Sequence, residues 1–200
     1  MRLNNQSGLV TVDFLFALVL GFGMSAILFA MTFTLTVVEV AQYITFSAAR
    51  AHTAANSTVS AQKDAARDKY ATLISSPAFA PLFRGGWFEI SKKDELDIRS
   101  GNGETFQNEY RSNQQNRAVF TGVRAQLTAH MLDMQLPMIG KTSDDEGGFK
   151  TKILTILIRE PNEDECQKFI NDRAAKIQGL ESSRFSTYTS RYFPMEDNGC

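Results

Sequence analysis

Two hundred residues and 22.3 kDa allow one ordinary domain, or a small domain with a long appended element. Lysine and arginine number 21 against 22 aspartate and glutamate, and this balance, with no Lys/Arg stripe, excludes a strongly basic nucleic-acid binder. A hydrophobic share of 43% excludes a wholly disordered chain, and two cysteines are too few for a disulfide framework or a four-cysteine zinc site.

The apolar residues are concentrated near the start. From Phe14 to Val38 the chain carries no charge, and only Asp13 and Glu39 are charged between Arg2 and Arg50. At about 1.5 Å per residue such a run spans roughly 37 Å as a helix, enough for a hydrocarbon core of about 30 Å. It is too long for the apolar core of a cleaved secretory signal, roughly 7–15 residues. The expectation is a membrane-spanning helix. Gly21, Gly23, Ser25 and Ala26 would let it pack closely among other helices, though glycine is common in membrane spans in any case.

Before this run lies a short polar leader with one basic residue, Met1 to Gly8, and the apolar residues begin abruptly at Leu9. Asp13 lies inside the run, five residues past Gly8. A carboxylate at the centre of a membrane helix costs on the order of 2.5–3.5 kcal/mol, so Asp13 needs an interfacial position or a cationic partner. An α-amine created by cutting after Gly8 would supply that cation.

Gly8-Leu9-Val10-Thr11-Val12-Asp13-Phe14, after a short basic leader and before a long apolar helix, resembles the processing site of type IV pilin-like proteins. The Asp13-Phe14 pair and the stretch Thr45-Phe-Ser-Ala-Ala-Arg50 look most like the TadE-like minor pilins or pseudopilins of the Tad (tight-adherence) branch. The family more often has glutamate where Asp13 stands; the charge is kept. The resemblance covers roughly residues 1–55. It implies cleavage by a prepilin peptidase between Gly8 and Leu9, with Asp13 and Phe14 serving assembly with other pilin-like subunits and a pilus assembly platform.

Ten alanines between Ala41 and Ala71, with no proline before Pro77, extend the helical reading to about Ser75. A continuous helix from Leu9 to Ser75 would be a rod roughly 100 Å long. Asn56-Ser57-Thr58 has weaker helix propensity and marks a possible bend; it also fits a glycosylation triplet, a short match of little weight.

The remainder reads as a small α+β head. Gly85-Gly86 and Ser100 to Gly103 are turns, and Trp87–Ile90 and Leu96–Arg99 are strands with a tight turn over Lys92 to Glu95 between them. Residues 104–117 are polar and read as an exposed loop. Alternation from Val119 to Met131 predicts a strand with one buried face, and Phe149 to Ile158 is β-branched and predicts another. After Pro161, Asn162 and Glu165 have the spacing of a reciprocal helix cap. Cys166, Phe169, Ile170, Ala174 and Ile177 then share one helical face, and Gly179 is placed to end the helix. The aromatic-rich tail to Cys200 is expected to pack back on the head.

Few residues suggest chemistry. Asp144, Asp145 and Glu146 could ligate a hard cation such as calcium, but their adjacency lacks the alternating oxygens of a recognised loop, and a solvated turn is the better reading. His52 and His130 are solitary, and no nucleophile triad, phosphate loop or paired-histidine motif accompanies them. No enzyme, cofactor or metal is expected. With the leader inside, residues beyond about 45 would lie outside the cytoplasmic membrane, where disulfides persist. A Cys166–Cys200 bridge would close a loop of roughly 35 residues, worth about 3–4 kcal/mol in a chain-entropy estimate; the alternative is two unpaired thiols.

These readings give an α+β chain with a leader (1–8), a transmembrane and extended N-terminal helix (9–76), and an extracytoplasmic antiparallel β head with a C-terminal helix (77–200). The expected function is that of a minor pilin or pseudopilin of a Tad-like type IV pilus or related secretion system, stored in the bacterial inner membrane. The rival is an uncleaved, membrane-anchored extracytoplasmic binding protein or adhesin. Expected partners are the membrane, other subunits, the assembly platform and the prepilin peptidase, with no nucleic acid.

Overall fold

The computed structural model describes residues 7–54, 57–100, 106, 121–131, 135–136, 140–141, 147–157 and 161–180. The leader residues 1–6, most of the polar loop 104–117, the Asp144–Glu146 run and the tail from 181 to Cys200 lie outside the described residues.

Helix α1 (Ser7–Thr53) is a single 47-residue element. Leucine, methionine and alanine favour it throughout, and no proline interrupts it. Its two halves meet different surroundings. Up to Thr36 nearly every described side chain is exposed, except for the buried Ala30 and the half-buried Phe33 and Thr34. Beyond Thr36 the residues Val37, Ala41, Ile44 and Ala48 are fully buried at spacings of three and four, the face that one side of a helix presents.

The 100 Å rod is not observed. The chain turns back after Thr53, and α2 (Val59–Ser75) runs antiparallel to the upper part of α1. Thr58 caps the new helix, its hydroxyl accepting from the Ala61 amide at 3.1 Å, and Gln62 Nε2 donates to the Ala54 carbonyl at 3.2 Å. Propensity alone favoured one rod, but it would leave the Ala66/Tyr70 face of α2 in water. Folding back buries that face against Ile44, Ala48 and Ala49, and the methyl side chains let the two helices approach closely. Pro81 lies in the first turn of a short helix, α3 (Ala80–Arg84), which it starts rather than prevents.

The antiparallel sheet is centred on β3 (Gly122–Ala129), which pairs along its whole length with β6 (Phe149–Ile156). On its other edge two short strands share the ladder: β1 (Phe88–Ile90) pairs with residues 127–129 and β2 (Asp97–Arg99) with 122–124. A 3-10 turn over Lys93–Glu95 joins β1 to β2, closed by the Glu95 carboxylate accepting from the Lys92 amide at 3.1 Å. Two further short strands, β4 (Gln135–Leu136) and β5 (Gly140–Lys141), pair with each other.

Alternation along β3 sends Val123, Ala125, Leu127 and Ala129 to the face that α1 covers. The core has two levels along the helix. Val37 and Ala41 meet Phe88, Leu127, Ala129 and Ile153; Ile44, Ala48 and Ala49 meet Leu96, Ile98, Val123 and Ala125 as well as α2. Climbing α1 therefore means moving from the end of β3 to its start. This gives the head a lower end at Phe88, Ala129 and Phe149 and an upper end at the α1–α2 turn.

The C-terminal helix α4 (Glu163–Leu180) opens with the expected reciprocal cap: the Glu165 amide donates to Asn162 Oδ1 at 2.9 Å, and the Asn162 amide donates to Glu165 Oε2 at 3.2 Å. The Asp164 amide also donates to the Ser57 carbonyl, tying this helix start to the α1–α2 turn. Of the expected apolar face, Ile170 and Ala174 are buried while Phe169 and Ile177 stay exposed, and Gly179 lies inside the helix rather than ending it.

Candidate functional site

The lower half of α1 is the feature of the molecule least explained by the head. Val12, Phe14, Leu15, Phe16, Leu18, Val19, Leu20 and Phe22 all stand exposed, as do Met24, Ile27, Leu28 and Phe29. It belongs to the one helix among the described residues that is long and apolar enough to cross a membrane. Four of its hydroxyl side chains are compatible with hydrocarbon because they bond back to the helix. Ser25 donates to the Gly21 carbonyl, Thr32 to Leu28, Thr34 to Ala30 and Thr36 to Thr32, at 2.8–3.0 Å. Each hydroxyl proton is thus satisfied within the helix, which removes most of the cost of placing it away from water. At Gly21 and Gly23 an added Cβ would meet nothing within 4 Å, so both leave smooth, open helix surface.

Gly8 and Leu9, the expected processing pair, lie in the first turn of α1, and Asp13 and Phe14 are exposed on its following turn. All four belong to one continuous helix that also forms the head's core. Cys166, on α4, takes part in a disulfide, whereas its expected partner Cys200 lies outside the described residues. The carboxylates Asp144, Asp145 and Glu146 lie outside them too. No group of three metal-binding side chains occurs among the described residues. His52, buried on the upper α1, and His130, just past the end of β3, are at opposite ends of the head and form no joint site.

Two features escaped the sequence reading. On the sheet face away from α1, Asp97 accepts two hydrogen bonds from Arg99, at 3.2 Å each, and one from Arg124. Burial on its own would raise the Asp97 carboxyl, but hydrogen bonds and charge from the two arginines hold it below the ordinary carboxylate value. Phe106 is fully buried against this cluster, with the Arg99 and Arg124 guanidiniums 4.5 and 5.0 Å from its ring centre. The one phenylalanine in the polar run 104–117 was the available signal. The second feature is Trp87, exposed at the lower end of the head beside Phe33 of α1.

Compared with known proteins, the chain matches no family model, no curated protein and no solved structure.

Proposed function

We propose that this chain is a pilin-like assembly subunit, held in a membrane by the lower half of α1, matured by cleavage between Gly8 and Leu9, and then incorporated into a fibre or pseudopilus. The observation that carries the reading is the unbroken passage of α1 from its exposed apolar half into the core of the head. A plain anchor needs only a tether between span and domain. A subunit whose head must be positioned by packing of its span benefits from a rigid helix that serves both, and here Asp13 and Val37 belong to one element without a hinge. The head would lie outside the cytoplasm, where the Cys166 disulfide persists. Its work is assembly with other subunits, without a catalytic step, cofactor or nucleic-acid contact.

Asp13 would register each incoming subunit. In the stored state it lies near the membrane surface; among packed apolar helices it requires a cation, and the new α-amine of Leu9 on a neighbouring subunit is one at nearly the same depth. A desolvated pair is far more sensitive to distance than one in water, so one carboxylate could fix the axial step.

Mass spectrometry of the protein from native membranes tests the first part. A mature N-terminus at Leu9 is expected, with Gly8→Ala or a larger residue retaining Met1; Met1 in the wild type would favour the uncleaved anchor. For the second part, Asp13→Ala is expected to insert normally, because losing the charge makes the helix more apolar, but to co-purify poorly with assembled material. Asp13→Glu should assemble. Normal incorporation of Asp13→Ala would remove the registering role.

A further inference from the structure

We propose that the lower end of the head lies in the membrane–water interface, with Trp87 as its anchor, so that the stored subunit rests on the bilayer rather than standing clear of it. This rests on the reading that the lower half of α1 spans the membrane. A hydrocarbon core of about 30 Å takes up about 20 helical residues. Counted from Asp13, which belongs at one boundary, the other boundary falls at Phe33. The Phe33 ring is edge-on to Trp87, with centroids 6.4 Å apart, and also edge-on to Phe88, at 5.5 Å. Trp87 is therefore held at the depth where the span leaves the hydrocarbon.

Its environment fits that position and fits water poorly. Trp87 is 56% exposed, while the next residue, Phe88, fills the core. Phe149 is 59% exposed at the same end of the sheet, in the row Phe88–Ala129–Phe149. On α1, Phe29 stacks on Phe33 with ring centres 6.0 Å apart, so the aromatic surface runs without a break from the span onto the head. Trp87 is also rigidly presented. Gly86 takes φ 75°, a turn conformation that glycine adopts without strain, and the Trp87 carbonyl accepts from the His130 amide at 2.8 Å. An indole combines an apolar ring with one N–H donor, which suits the boundary between acyl chains and headgroups. Above this level Glu39 is exposed on α1, about 9 Å further along the helix, on the aqueous side. A head seated this way would fix the tilt and rotation of α1, and with them the presentation of Asp13 at the opposite boundary.

Trp87 is the chain's single tryptophan, so its emission reports this site alone. The full chain would be reconstituted into phosphatidylcholine vesicles, whose zwitterionic headgroups remove net-charge attraction, and checked by flotation after an alkaline wash. The expected result is blue-shifted emission that loses intensity in lipid brominated near the carbonyls, more than in lipid brominated near the chain ends, with little quenching by aqueous iodide. If the protein floats but iodide quenches Trp87 and bromolipid does not, the head stands clear and the interfacial seat is wrong, while the span survives. Strongest quenching by the deep bromines, or a blue shift without any bromolipid quenching, would overturn the interfacial seat equally. Failure to float would overturn the span and this inference together.

Discussion

The two halves of α1 are made from similar residues and live in opposite surroundings. Below Thr36 the helix is apolar all round: Phe14, Leu15, Phe16 and Leu18 through Leu20 cover every direction, and all are exposed. Above it Val37, Ala41, Ile44 and Ala48 form one buried face, while Glu39, Gln42, Tyr43 and Arg50 look outward. A helix apolar on all sides matches a surrounding that is apolar on all sides; a helix apolar on one face matches a core. The change of pattern within one unbroken element marks where the head's core begins on the helix, and composition alone would not have located it.

The sharpest way to break the upper half is to remove the surface it rests on. A Cβ added at Gly122 would fall 2.0 Å from the Thr155 carbonyl oxygen, a backbone atom of the paired strand that cannot swing away. Gly122→Ala must therefore part β3 from β6 where α1 covers both, with an expected loss of about 3 kcal/mol or more. The lower half should still insert in membranes. Thermal unfolding of the detergent-solubilised chain, followed by near-ultraviolet circular dichroism, checks this, and an unchanged melting temperature would mean the strand pairing differs at Gly122.

One residue type tests both halves at equal chemistry. Val37 is fully buried at the lower core level, and Val19 is 66% exposed on the same helix. Truncating Val37 to Ala removes about two methylene equivalents and leaves a small cavity, so Val37→Ala should cost about 2 kcal/mol. Val19→Ala removes as many atoms and should leave the head's unfolding unchanged within error. Equal losses at both sites would show that the lower half also packs on protein in the isolated chain.

How far the sequence reached follows from how local each feature is. The apolar helix, the two long strands and the Asn162/Glu165 cap are set by residues within a few positions of one another, and all are present. The return of α2 along α1 was not legible, because Ala48, Ala49 and Ala66 favour helix equally in a rod and in a hairpin. Only the partner helix decides between them, and the local hints at Ser57 and Thr58 are weak. Phe106 was hidden for the same reason: its arginine partners come from β2 and β3. Gly8, Leu9, Asp13 and Phe14 could be singled out from the sequence by their spacing ahead of the apolar run, whereas the contact of Trp87 with Phe33 required the packing of β1 on α1.

The sheet's outer face gives a smaller effect, independent of either half of α1. Asp97→Asn would leave Arg99 and Arg124 without their carboxylate beside Phe106, at a cost of about 1–2 kcal/mol, since water still reaches and screens the group. The wild-type Asp97 carboxyl lies below its unfolded value, so its contribution is present above about pH 4 and is lost as pH falls further. Chemical denaturation at pH 3 and pH 7 should therefore show the mutant's deficit shrinking in acid. A deficit independent of pH would mean that packing at Asp97, not its charge, carries the effect.

Tyr70 gives the smallest change at neutral pH and the clearest reversal away from it. It belongs to α2, buried against the upper half of α1, and its hydroxyl donates to the Ser91 carbonyl at 2.8 Å, joining the helical hairpin to the end of β1. Tyr70→Phe keeps the ring and its packing but leaves that carbonyl without this donor, so the expected loss at pH 7 is about 1 kcal/mol. Burial first, and the charge of Glu95 second, push the Tyr70 hydroxyl far above its ordinary value near 10. The folded protein thus keeps the proton at a pH where the unfolded chain releases it. Stability from this group is complete below about pH 10 and falls above it, by about 1.4 kcal/mol for each further pH unit until the folded state also titrates. Phenylalanine has no proton to release, so the mutant lacks that slope. The two denaturation curves should approach one another above pH 10 and cross near pH 11, with Tyr70→Phe the more stable beyond it. Parallel curves up to pH 12 would mean that Tyr70 is reached by water, and that the hairpin is looser on α1 than its burial implies.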